Sequence, residues 1–330
     1  MKNTRRSFRF LTSLMAIVAV GLISPVAGAQ EKFPTKPITM VVTYAAGGNA
    51  DIVARISAER LSKELGVPVK VLNVPGGRHI PGVMNVLNKP ADGYTLLRWS
   101  AAPMVIGPLV RKVPYDPLKD IVPISASTTA ATALYVRGDS PIKTFEQFVD
   151  EAKKKKFTIG VNNIGAPPNL SAVQLAQQFG LEFNTLTLKT VPATMTGLLG
   201  GQVDVAVGQL TGVKIFGDKL RALAILDNAR EAYFAKDLPG VRTVGEIFPG
   251  KEAGSWINGG LAIKAGTPDH IVKRLVEAAD KAMNNQAFAD QISNTITYRW
   301  IGGVDAVTAK IKEGIALYKP LLDSLGLLKK

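Results

Sequence analysis

Tyr44-Ala45-Ala46-Gly47-Gly48-Asn49-Ala50-Asp51 is the stretch whose reading decides the fold. Before it, Ile38-Thr39-Met40-Val41-Val42 is a short apolar run rich in β-branched residues, the signature of a buried strand. After it, Ala54, Ala58, Leu61 and Leu65 share one face of a predicted helix over 51–65, and Gly66 can take a left-handed C-cap. The octapeptide is therefore a strand-to-helix loop. Its adjacent glycines let backbone N–H groups turn toward a ligand, and the unpaired amides of a first helical turn suit a carboxylate or phosphate. Taken alone, a glycine pair before a helix is more often a tight turn.

Upstream, residues 1–29 read as a secretory signal. Lys2, Arg5, Arg6 and Arg9 form its basic region, Leu11 to Ile23 its apolar one, and Ala27-Gly28-Ala29 its cleavage site before Gln30. Thr4-Arg5-Arg6-Ser7-Phe8 half-fits a twin-arginine signal, but paired arginines are common in ordinary basic regions, so the general secretion route is favoured. No later segment has the apolar length to span a bilayer. The processed chain is thus expected to be exported and soluble. Residues 1–29 hold four of the 40 basic residues and none of the 26 acids, so their removal lowers the formal charge from +14 to +10. That balance favours acidic ligands. Nucleic acid is not expected, because the lysines are scattered and no basic stretch is interleaved with aromatics. The run Lys153 to Lys156 closes a predicted helix opened by Thr144 and Gln147, where it complements the helix dipole. With no cysteine in the chain, disulfides, thiol catalysis and cysteine metal sites are excluded.

Downstream, strands and helices alternate. Strands are predicted at 67–72, 94–97, 133–136, 157–161, 186–188, 203–207, 221–225 and 259–264. Helices are predicted near 83–87, 144–156, 168–179, 194–199, 268–284 and 304–318, and residues 101–120 are punctuated by proline. This alternation predicts an α/β chain with two doubly wound sheets, whose ligands sit at the carboxyl ends of strands. A second glycine turn, Asn162-Asn163-Ile164-Gly165-Ala166-Pro167-Pro168, again joins an apolar strand to a helix. Two such helix N-termini, one from each domain, are able to share one anion across a cleft. Asn162 and Asn163 either contact that anion or only cap their loop.

The combination resembles the substrate-binding proteins of tripartite tricarboxylate transporters, the Bug receptors. The resemblance rests on Phe33-Pro34-Thr35-Lys36-Pro37-Ile38, Gly47-Gly48, Asp51-Ile52, Ala54-Arg55, Asn73, Pro75-Gly76 and Asp92-Gly93-Tyr94-Thr95-Leu96-Leu97. Leu198 to Asp204, Leu220-Arg221-Ala222-Leu223-Ala224 and Ser255-Trp256 extend it over the whole processed chain. It implies a type II-like, two-domain periplasmic binding protein that closes on a small carboxylate and hands it to integral-membrane permease subunits, as a monomer without cofactor. It also implies two chain crossings, giving a first domain of 30–128 plus 255–330 and a second of 129–254. The ligand-binding residues expected from the loops and strand ends are Tyr44, Ala46, Gly47, Gly48, Asn49 and Asp51 of the first loop, with Arg78, Ser100, Ala101, Thr128 and Thr129. The second domain adds Asn162, Asn163, Ile164, Gly165, Ala166 and Gln209. Lys189 matches a lysine common in the family.

Departures from the family pattern refine the expectation. Asn49 and Ala50 stand where glycine and threonine are usual, and Val161 and Ala166 replace hydroxyl residues. Asn169 replaces a histidine, and Gly208-Gln209 falls where many relatives carry an acid, which argues against an amino-acid ligand. Arg78 and His79 follow Pro75-Gly76 in place of small residues. A pocket with fewer hydroxyls suits a carboxylate with an apolar, even aromatic, body. Arg78 either reaches the cleft as a bidentate partner or is a solvated loop residue.

Other chemistries lack their parts. Gly245 to Lys251 imitates a phosphate loop but is followed by Glu252 rather than Ser or Thr. His79 and His270 have no metal-ligand spacing, and no G-x-S-x-G occurs. Trp99 and Trp256 read as core or wall. A solute receptor without chemistry of its own is therefore expected. A periplasmic co-receptor for a sensor kinase is the alternative, ahead of a periplasmic enzyme.

Overall fold

Alternating strands and helices assemble into two mixed β-sheets. The computed structural model describes residues 32–129, 131–162, 164–188, 190–210, 216–227, 234, 238–251, 253–254, 257–293, 295 and 297–329. Residues 1–29, Asn163, Lys189, Glu252, Ser255 and Trp256 lie outside these. Pro34–Lys330 is one compact unit, to which everything below belongs.

The first sheet contains β1 (Ile38–Val42), β2 (Val69–Asn73), β3 (Thr95–Ser100), β4 (Ile121–Thr129), β10 (Ile257–Lys264) and β11 (Thr297–Gly302), in the order β11-β4-β10-β3-β1-β2. The second contains β5 (Thr132–Arg137), β6 (Phe157–Val161), β7 (Phe183–Thr187), β8 (Val205–Gln209) and β9 (Leu220–Leu226), in the order β7-β6-β8-β5-β9. Neither is parallel throughout. β1 runs parallel to β2 and β3, and β6 to β7 and β8, while β4, β5, β9, β10 and β11 pair antiparallel with their neighbours. The reason lies in the connections. The chain leaves the first sheet after Thr129 and comes back at Ile257, opposite the residue where it left, so the returning strand must run the other way. β3 also runs further than the sequence suggests, because Arg98, Trp99 and Ser100 continue its ladder against β10.

Helix α1 (Asn49–Leu65) buries Val53, Ala54, Ala58, Leu61 and Leu65 and ends on left-handed Gly66, at φ 71°. It packs on α8 (Asp269–Met283) and α9 (Gln286–Ile292). Between β2 and β3 lies α2 (Ile80–Leu87), and the proline-rich stretch after β3 forms a π-turn followed by α3 (Gly107–Val110). The long C-terminal α10 (Val304–Ser324) buries Val307, Ile311, Tyr318, Leu321 and Leu322 in a core that also takes Leu170 of α5 (Pro167–Phe179). That helix therefore touches both sheets' layers. One face of the second sheet packs Phe145 and Phe148 of α4 (Phe145–Lys154) with Phe157 and Leu175. The other face packs Met195 and Leu198 of α6 (Val191–Leu199) with Tyr135. The short α7 (Val244–Ile247) adds Val244 to the first of these cores. Thr144 and Gln147 form the expected capping box at α4.

Close backbone approach pins β10 between its neighbours. A Cβ on Gly260 would lie 1.8 Å from the Ser125 carbonyl oxygen, and one on Gly259 would lie 2.2 Å from the Trp99 carbonyl oxygen. Both obstacles are backbone and cannot rotate away. Gly260→Ala is accordingly expected to lower unfolding stability by at least about 3 kcal/mol, the upper range for overpacking. Urea denaturation checks this; a loss under about 1 kcal/mol would show that the ladder yields there.

Candidate ligand-binding site

The loop between β1 and α1 is held open by a single carboxylate. Gly47 takes φ 82°, a left-handed conformation cheap only for glycine, and its N–H donates to Asp51 Oδ2 at 2.8 Å. The same Oδ2 accepts from Arg55 Nε at 3.0 Å, and Oδ1 accepts from Asn73 Nδ2 at 2.9 Å. Asn73 Nδ2 also donates to the Tyr44 carbonyl at 3.1 Å, tying the loop to β2. Burial alone would raise the Asp51 carboxyl. The hydrogen bonds from Arg55, Gly47 and Asn73, with the Arg55 charge, outweigh that and hold it below its ordinary value.

With Asp51 occupied in this way, the helix start is left uncapped. Gly48 has N-cap geometry, φ −82° and ψ 168°, but no side chain to accept the first-turn amides. The N–H groups of Asn49 and Ala50 donate to no described residue. By contrast α4, α6, α7 and α9 are closed by Thr144, Thr190, Thr243 and Asn285. Helices α2, α3, α5, α8 and α10 also lack a side-chain cap, but none of their N-terminal residues borders the cavity described next.

The open N-terminus of α1 faces a cavity of about 370 Å³. Its walls are Tyr44, Gly48, Asn49, Ala50, Val53, Arg98, Trp99, Ser100, Thr128 and, from the second sheet, Gln209. Apart from the α1 residues Asn49, Ala50 and Val53, all lie at or just beyond strand ends. Tyr44 is fixed from two sides. Its hydroxyl is 2.9 Å from Ser100 Oγ, and its ring lies 4.6 Å from that of His79. His79, itself at φ 74°, places Nδ1 3.1 Å from Thr43 Oγ1. The Gln209 carbonyl accepts the Tyr135 hydroxyl at 2.9 Å.

Arg98 is the one charged wall residue among those described, and it is only 6% exposed. Nη1 donates to the carbonyls of Trp99 (2.8 Å) and Gly260 (3.1 Å), and Nη2 to Thr128 Oγ1 (3.2 Å). Burial brings its pKa down to about 10, slightly offset by Tyr44, so it stays charged at neutral pH. At about 1.4 kcal/mol per pH unit, carrying that charge costs on the order of 3 kcal/mol. Sequence reading passed over Arg98. Its only signal is a lone charge inside the apolar strand Tyr94 to Trp99, where a charge must be buried or the strand must end.

Of the residues expected at a site, the structure gathers Tyr44, Gly48, Asn49, Ser100, Thr128 and Gln209 around this cavity. Gly47 and Asp51 shape its loop. Ala46, Ala101 and Thr129 are not among its walls, and Arg78 sits exposed at φ 53° on the neighbouring turn. Asn162, Ile164, Gly165 and Ala166 are not among its walls either, and Gly165 repeats the device of the first loop. Gly165, at φ 74°, donates its N–H to Asn169 Oδ1 at 2.8 Å, four residues on, and Ala166 is a cap without side-chain oxygen. Here, however, Pro167 and Pro168 remove two first-turn donors, and Gly165 lies against Leu327 of the C-terminal segment. Asn162 Oδ1 is buried without a partner among the described residues, and Ile164 is half exposed.

Because Asp51 is held below its usual value, its contribution to stability is full above the unfolded carboxylate value, near pH 4, and disappears as pH falls through the folded one. Asp51→Asn is expected to cost about 1–3 kcal/mol at pH 7. The gap to the parent protein should close on acidification below about pH 4. Thermal unfolding at pH 7 and pH 3 measures it; an equal gap at both would mean the charge is idle.

With this geometry in hand, kinship is informative. Residues 53–327 match the model of the tripartite tricarboxylate transporter family receptor, TctC. The chain is 33% identical over 319 residues to the UPF0065 protein in the gbd 5′ region of Cupriavidus necator, covering 95% of each. A TctC solute-binding protein from Polaromonas, solved without ligand, superposes with a TM-score of 0.80 at 28% identity, covering 89% of this chain and all of that one. R. palustris Rpa4515, solved with adipate, shares the fold at 23% identity and a TM-score of 0.70, over 90% of this chain and 99% of that one. The open helix start at a strand-end cavity thus belongs to a solute-binding receptor of the tripartite tricarboxylate transporter family, of which this chain is a member.

Proposed function

We propose that this chain works in the periplasm, where it captures a small carboxylate in the cavity at the start of α1 and presents it to the membrane subunits of a tripartite transporter. The supporting observation is that α1 leaves its first-turn amides without any capping oxygen where they meet that cavity. A carboxylate there replaces the missing cap and sits at the positive end of the helix dipole. Tyr44, Ser100, Thr128 and Gln209 supply neutral donors and acceptors around it, and Val53 and Trp99 an apolar wall. The chemistry stops at capture. The cavity walls hold no acid–base pair among the described residues, and a receptor needs none.

Domain boundaries follow from the crossings. One lobe is then 30–128 with 255–330, and the other 129–254. Gln209 is the second lobe's contact in the state described, and the Asn162–Ala166 turn is its further contribution as the lobes close on ligand. The closed form is what the membrane partner reads.

Gly48 separates capture at α1 from capture elsewhere. Its conformation suits any residue, and a Cβ there would meet only the Ala45 carbonyl oxygen, at 3.7 Å. Gly48→Asp therefore supplies the missing cap internally, which is expected to leave stability equal or raise it by a few tenths of a kcal/mol. It also places a negative charge where the ligand's carboxylate belongs. In a thermal-shift screen, the parent protein at 100 times a ligand's Kd should gain about 2.7 kcal/mol. The variant should fold as well and show no such gain. Undiminished stabilisation of Gly48→Asp by the same acid would refute this placement.

A further inference from the structure

Among the described residues only two that are not glycine take left-handed backbone, and they are neighbours: Arg78 at φ 53° and His79 at φ 74°. Gly76 and Gly77 precede them at φ 89° and 49°, so four successive residues share the conformation. Glycine adopts it freely, whereas any other residue sets its Cβ against the following carbonyl. The turn is closed by the His79 N–H, which donates to the Gly76 carbonyl at 2.9 Å, and it leads straight into α2. The two side chains differ in surroundings. Arg78 is exposed, and His79 is half-buried.

His79 is held by its side chain. Nδ1 lies 3.1 Å from Thr43 Oγ1 and 3.2 Å from the Thr43 carbonyl oxygen. The ring meets that of Tyr44 at 4.6 Å between centroids, tilted by 53°. Burial, with the Arg111 charge, keeps the imidazole below its ordinary pKa, so it is a neutral ring at neutral pH. His79 is not a wall of the cavity at α1, but Tyr44 and Ser100 are, with their hydroxyl oxygens 2.9 Å apart. Ser100 is itself a rotatable hydroxyl, so that bond alone ties two mobile groups to each other. The contact with His79 anchors the pair to the end of β1 through Thr43. A purely structural role is a poor account of this residue. Glycine or asparagine would take its backbone conformation more easily, and asparagine would still set a polar atom where Nδ1 meets Thr43. What neither supplies is a ring on Tyr44.

Resting on the receptor reading above, we infer that His79 is a positioning residue for ligand capture, whose ring fixes the Tyr44–Ser100 hydroxyl pair before the ligand arrives. It acts through Tyr44 and does not touch the ligand. The unfavourable backbone at position 79 is kept because a preordered wall loses less freedom on binding than a mobile one. Stability and affinity are therefore opposed at this turn, and relieving the backbone should weaken capture without weakening the fold.

The test is a double-mutant cycle on the full processed chain, with benzoate, adipate and terephthalate as probes. His79→Asn keeps the backbone and the Thr43 contact and removes the ring. It is expected to melt at or above the parent's temperature. Yet by calorimetry it should bind the tightest of the three acids about threefold to tenfold more weakly, the loss that ordering one side chain imposes on binding. Tyr44→Phe removes the hydroxyl that His79 places, so adding His79→Asn to it should weaken binding no further. His79→Gly, the easiest residue at this φ, carries the measurement if His79→Asn does not fold by circular dichroism. Parent-like affinity in the His79 variant would overturn the inference. So would a melting temperature that falls in step with affinity, which makes His79 a packing residue. An undiminished effect of His79→Asn in the Tyr44→Phe protein would do the same, because His79 would then act elsewhere. If no acid of the three, nor any in a broader carboxylate screen, binds the parent protein, the receptor reading itself falls; if acids bind and only the His79 comparison fails, that reading stands and the role of His79 does not.

Discussion

A buried carboxylate holding a glycine turn is the constraint on which the site depends. Asp51 accepts the Gly47 N–H while it is itself held by Arg55 and Asn73, so the turn after β1 has one geometry. Had Asp51 capped α1 in the ordinary way, the first-turn amides would have been consumed within the helix. Because it reaches back to Gly47 instead, the first-turn donors of the helix are left without a partner among the described residues. Local strain is small, since the left-handed residue is a glycine.

The same device stands at β6 and α5, where Gly165 and Asn169 repeat the spacing and the hydrogen bond of Gly47 and Asp51. The two turns are not equal. Asn169 is neutral, and Pro167 and Pro168 strip donors from its helix. The start of α1 therefore keeps more unpaired backbone donors than the start of α5, and of the second sheet only Gln209 lines the cavity, while Gly165 sits near Leu322 and Leu327.

Charge placement around the cavity explains a cost that packing alone would not tolerate. The interior around Trp99 and Ala126 is fully buried, and within it β3 presents Arg98 with backbone carbonyls and Thr128 but no acid. A buried charge without a carboxylate partner weakens the fold that carries it. Tyr44 shares that environment. Its hydroxyl pairs with Ser100 while burial raises its pKa, so it stays protonated and serves as a neutral partner.

Much of this was legible in the residues themselves. The apolar run 38–42, the helical face from Ala54 to Leu65 and the Gly66 stop are short-range patterns, and short-range sterics decide them. The strand–turn–helix at 44–51 and its repeat at 162–168 were visible for the same reason. So was the likeness to the transporter receptors. Arg98 was not, because a strand's period shows that a residue faces inward without showing whether the interior there is core or cavity. Nor was the antiparallel return of β10, which depends on where the crossing chain re-enters. By itself the sequence determined the α/β elements, the two glycine turns and the absence of thiol chemistry, since each follows from local backbone preference or composition. Only the tertiary structure decided that Asp51 is tied to Asn73, that Gln209 lines the same cavity as the start of α1, and that a charged side chain ends in the cavity wall, because those are long-range juxtapositions set by packing.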